Sequence, residues 1–130
     1  MRIVTVILRI LFGAIFLIFG LNGFMHVIPN MPMSDAPMPD AAVSFFTAMG
    51  ATGYMLPLLF ASQVVAGVLI VSGVFTPLGL VMIAPVLVNI ALFHAFLAPG
   101  GLGLAIILAM IWAFLVCVCM DWINQGSRSR

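Results

Sequence analysis

The chain contains no lysine and no glutamate, and only seven of its 130 residues carry charge: Arg2, Arg9, Arg128, Arg130, Asp35, Asp40 and Asp121. A soluble domain carries about a quarter of its residues as charge, so this chain has too little polar surface to cover a globule in water. Hydrophobic residues make up 65% of it, and the solvent they suit is lipid. The shortage of base also leaves no patch for nucleic acid. The two cysteines, Cys117 and Cys119, form no C-x-x-C motif. On a helix an i, i+2 pair points to nearly opposite faces and closes no disulfide. They read as small packing residues, and a thiol-oxidising enzyme is disfavoured.

A crossing helix needs roughly 20 apolar residues, and four stretches supply them: about 10–28, 54–75, 78–97 and 102–122. The breaks between them are a long segment with Pro29, Pro32, Pro37 and Pro39, the pair Thr76-Pro77, and Pro99-Gly100-Gly101, all helix-ending signals. The apolar runs show no alternation of period two, which argues against a barrel. The first run is too long for the core of a cleaved signal and no A-x-A-like site follows it. Arginines flank the spans only near the two chain ends, while Asp35 and Asp40 occupy the first loop. The positive-inside rule then puts both termini in the cytoplasm and the loop outside. Arg9 falls at the inner boundary, its guanidinium reaching the headgroups. Trp122 beside Asp121 marks an inner anchor, and Tyr54 an outer one.

The outer loop, 29–53, has two parts. A proline and methionine stretch leads to Asp40, after which Ala42, Phe45, Phe46 and Met49 recur at helical spacing. This pattern predicts a short interfacial helix with Asp40 as its N-cap. Met25, Met31, Met33 and Met38 near His26 suggest a site for Cu(I), although methionine is also an ordinary apolar filler of a loop on lipid.

Polar side chains within spans are costly and mark candidate sites. The helical rise places Asn22, Gln63 and Asn89 near the midplane, with His26 and His94 roughly 10 Å to the outer side. Two imidazoles at one depth can hold a haem or copper ion, or hydrogen-bond a quinone head group from either side. Equally, each can cap a helix end through a backbone carbonyl. Two histidines fall short of the three or four ligands of a protein-built metal site, and no metal is assigned. Pro85 frees a carbonyl one turn earlier and kinks the third span near Asn89. Ser62, Ala66 and Gly67 on the second span, and Gly13, Gly20 and Gly23 on the first, provide small faces for close packing.

Five segments together carry a likeness: Arg9-Ile10-Leu11-Phe12-Gly13, Phe19-Gly20-Leu21-Asn22-Gly23-Phe24, Phe45-Phe46-x3-Gly50, Gln63-Val64-Val65-Ala66-Gly67-Val68-Leu69-x3-Gly73 and Asn89-Ile90-Ala91-Leu92-Phe93-His94. In order and spacing they resemble the DoxX-like family of small bacterial four-helix membrane proteins. Relatives commonly place Lys at the position of Gly23 and Glu at that of Gln63. Neutral groups at both positions are mutually consistent, since losing only one would strand a buried charge. The resemblance implies a membrane partner in quinone-linked redox or respiratory work.

The expected molecule is therefore a single all-α membrane domain, an antiparallel bundle of four transmembrane helices with a short outer interfacial helix, in a bacterial inner membrane. Its expected role is an accessory or anchor subunit in contact with lipid and other membrane subunits. Asn22, His26, Gln63, Asn89 and His94 form its candidate ligand cluster, with quinone as the cofactor to consider. Two alternatives are a quinone-reactive oxidoreductase in its own right, with His94 or His26 moving the proton, and a small-molecule transporter.

Overall fold

A backbone in lipid has no water to bond, so each long apolar run satisfies its N–H and C=O groups within its own helix. The computed structural model describes residues 2–25 and 39–129. Its helices are α1 (Arg2–Met25), α2 (Asp40–Ala51), α3 (Met55–Ser72), α4 (Thr76–Phe96) and α5 (Leu102–Arg128), the last entered through a 3-10 turn at Pro99–Gly101. Among the described residues, α1, α3, α4 and α5 with its leading turn are long and apolar enough to span a membrane.

The four spans close a ring in which α1 packs on α3, α3 on α4, α4 on α5, and α5 returns to α1. Neighbours run antiparallel. Gly13 lies against Val71, Gly20 against Val64 and Gly23 against Phe60, so α1 ascends as α3 descends. Both described chain ends and the α3–α4 turn share one end of the bundle, the near end. Helix α2, the 3-10 turn and His94 lie at the far end. Phe12, Phe16, Ile70, Leu80, Ile83 and Leu115 fill the interior. The outward faces are apolar as well, with Leu58, Val81 and Met110 exposed, as a lipid-facing surface requires.

The helix ends differ from expectation in ways that have local causes. Helix α1 starts at Arg2, not near residue 10, because residues 3–8 continue the apolar run with no Gly or Pro to break it and Arg9 fits within it. Thr76-Pro77 opens α4 instead of closing α3. Proline in a first turn removes an N–H that has no partner there anyway. The stop signal is Gly73, left-handed at φ +78°, whose N–H bonds the Leu69 carbonyl. Helix α5 runs on to Arg128, past the expected end at Trp122.

The short helix forms, but Asp40 is its first helical residue and Pro39 its N-cap. The Pro39 carbonyl accepts from Ala42 and Val43 N–H. Asp40 instead puts a carboxylate in the first turn, where the helix dipole favours it. Ala42 and Met49 are buried and Phe45 half-buried, making the inward face. The proline and methionine stretch and His26 lie outside the described residues, and with them the suggested copper site.

Candidate functional site

Helices α1 and α3 meet through glycines, and this seam positions Gln63. A Cβ on Gly67 would stand 2.8 Å from both the Gly13 carbonyl oxygen and the Leu17 nitrogen, so the two backbones nearly touch. Gln63 lies one turn before Gly67, at the middle of α3, and shares its buried side with Ala66 and Ile70. It is only 7% exposed, and its Oε1 is buried with no hydrogen-bond partner. A buried acceptor of this kind is uncommon and costs about 1–3 kcal/mol relative to a satisfied one. It is the place in the bundle centre where a hydroxyl or N–H of a ligand gains most.

The other candidates stand elsewhere. Asn22 is half-buried and makes a polar contact of its own. It lies two residues from Gly20, hence on nearly the opposite side of α1 from the seam with α3. Asn89 is exposed on the outward side of α4, with Leu87 and Ile90 turned to the core. A partner reaches Asn89 from the lipid, not from the bundle interior.

His94 is at the far end of α4. Its Nδ1 pairs with the carbonyl of Ala98, the residue that leads into the 3-10 turn, at 3.1 Å, a backbone-carbonyl bond of the kind that was the structural reading of this residue. Gly101 is seated directly against the imidazole, in space that a side chain would fill. The Phe93 ring lies 5.2 Å away, edge to face, and Phe45 and Phe46 of α2 pack on Phe93 at 5.6 and 5.1 Å. Histidine and α2 thus belong to one aromatic cluster closing the far end. Ala66 and Ile70 both touch the space beside Gly79, so Gln63 is level with about residue 84 of α4, and His94 lies about 15 Å further along the axis. One ligand ring cannot touch both.

Two contributors have no counterpart among the sequence candidates. Trp112 of α5 donates its Nε1–H to the Leu80 carbonyl of α4 at 3.0 Å, one residue from the Val81 carbonyl that Pro85 leaves without its usual donor. A proline in mid-span and one indole on the neighbouring span were the available signal. The second is Phe60, whose ring covers Gly23 and meets Phe24 at 5.9 Å. A side chain at position 23 requires Phe60 to turn away.

Pro85 itself is exposed, and α4 remains helical through it. Cys117 and Cys119 are free thiols, as their spacing requires. Among the described residues no three His, Cys, Asp or Glu side chains converge as a metal site. The DoxX family model matches residues 4–95, which takes in the α1–α3 seam, Gln63, Asn89 and His94. No curated protein and no solved structure matches the chain.

Proposed function

Because the chain belongs to the DoxX family of membrane proteins, we propose that it is an accessory or anchor subunit holding a quinone-linked redox partner in a bacterial inner membrane, with both termini cytoplasmic. The observation that carries this reading is how its polar groups are used. His94 pins the turn after its own helix and Trp112 ties α5 to α4, so both hold the scaffold together. A bundle with an aromatic cluster at its far end and apolar flanks suits attachment of a partner that does the chemistry. The arginines at the near end support the orientation through the positive-inside rule.

Extraction of a tagged chain in a mild detergent tests it. The expected eluate contains a haem- or flavin-bearing oxidoreductase subunit, and the separated chain, reconstituted alone, reduces no quinone. His94→Ala is expected to leave that association intact while lowering thermal stability by about 1 kcal/mol, the worth of one hydrogen bond. Recovery from native membranes with no redox subunit attached would overturn the proposal.

The unpartnered Oε1 of Gln63 favours a second reading, a quinone-reactive protein in its own right. A quinol hydroxyl is a donor of the kind that atom lacks, and the head group would be held by Gln63 without His94. Quinone turnover by the isolated chain, lost in Gln63→Leu, would establish this reading in place of the first.

A further inference from the structure

Arg9 is a cation placed at the near end, beside the last turn of α3. Its guanidinium lies on Gly73, at the C-terminus of α3, and within electrostatic reach of Cys119 on α5. Its Nε is buried and makes no hydrogen bond. Asp121, two residues beyond Cys119, is exposed on nearly the opposite side of α5, and Asp40 is at the far end.

Thr76, three residues past Gly73, opens α4 on the same face as Gly79 and Leu80, the face packed toward α3 and α5. It is 6% exposed, and its Oγ1 is buried without a partner. The first turn of α4 adds N–H groups that have no acceptor within the helix. The near end therefore collects an arginine fork, a hydroxyl and a helix N-terminus, while two of its polar atoms remain unsatisfied.

We propose that Arg9, Thr76 and the N-terminus of α4 together bind a phosphate group. The guanidinium offers a forked donor edge through Nε–H, matched to two oxygens of one anion. The Thr76 hydroxyl donates to a third oxygen, and the dipole of α4 favours the same negative charge. Arg9 lies where α3 ends, and the phosphodiester of an anionic phospholipid and free phosphate both present the required oxygens. The partial negative charge at the end of α3 holds the guanidinium in place without neutralising it.

Thermal unfolding and native mass spectrometry of the full chain in detergent test the site. Three additions are compared: phosphatidylglycerol, a phosphate-free galactosyl diacylglycerol, and inorganic phosphate against chloride at equal ionic strength. Phosphatidylglycerol is expected to raise the midpoint and stay bound in the gas phase, with the galactolipid weaker. Protection by inorganic phosphate as well identifies the anion itself as sufficient, and protection by phosphatidylglycerol alone identifies the headgroup; both support the site. Arg9→Gln is expected to weaken binding about tenfold and Thr76→Val by a few fold. Arg9→Lys keeps the charge, guards against misfolding, and should retain part of the affinity. Equal protection by the phosphate-free lipid, or wild-type affinity in both Thr76→Val and Arg9→Lys, would overturn the proposal.

Discussion

At the scale of single residues, two glycines with the same backbone conformation make a matched pair. Gly53 and Gly73 have φ near +80°, but nothing lies within 4 Å of a Cβ on Gly53, whereas one on Gly73 runs into the Arg9 guanidinium. Alanine at position 53 should cost about 1–2 kcal/mol for the left-handed conformation alone. Alanine at 73 adds the displacement of a charged group from its seat, and we expect at least twice the loss. Thermal midpoints of the two variants in one detergent check this, and equal losses would remove Gly73 as the seat of Arg9. Trp112→Phe keeps an aromatic ring, though a smaller one, and deletes the donor to Leu80. Its expected cost is about 0.6–1.5 kcal/mol, the range of interhelical and buried hydrogen bonds.

Between elements, the glycine seam decides how α1 and α3 meet. Gly67→Ala sets a methyl against the backbone of α1 and should destabilise by about 1–3 kcal/mol through overpacking. Gly103 on α5 has nothing within 4 Å of its Cβ position, so Gly103→Ala should be neutral or gain up to about 1 kcal/mol of helix propensity. The difference between these two variants, read by denaturant titration in mixed micelles, measures the seam.

The same elements show what was legible in the sequence. Four spans followed from apolar length alone, because a bilayer asks little else of a helix. Their ends did not follow, since Pro77 starts a helix as readily as it stops one and Arg9 is seated by a glycine 64 residues away. The facing of Gln63 and Asn89 was equally hidden. Helices α3 and α4 are apolar on all sides, so no amphipathic stripe distinguishes inward from outward. Two amides at the same expected depth thus fell on opposite sides, Gln63 within and Asn89 against lipid. His94 was legible as a side chain that bonds a backbone carbonyl; Trp112 and Phe60 were not, because only the fold shows which neighbours they meet.

For the whole molecule, an even number of spans returns the chain to the side where it began. Reporter fusions at the N- and C-termini should both read cytoplasmic, and one after Tyr54 should read external. A reversed pattern would remove the orientation we infer from the arginines. The glycine seam bears on assembly as well as on stability. Its two halves are not a hairpin: α1 ends at Met25 and α3 is complete only at Ser72, 47 residues later. At the pace of synthesis this is an interval of about 2–10 s. Throughout it α1 waits with a bare glycine face, and in the orientation proposed above the ring cannot close until the proline- and methionine-rich loop has crossed. Translocation of that loop is therefore the gate on folding, and a variant that slows it should leave α1 open to the wrong helix or to degradation.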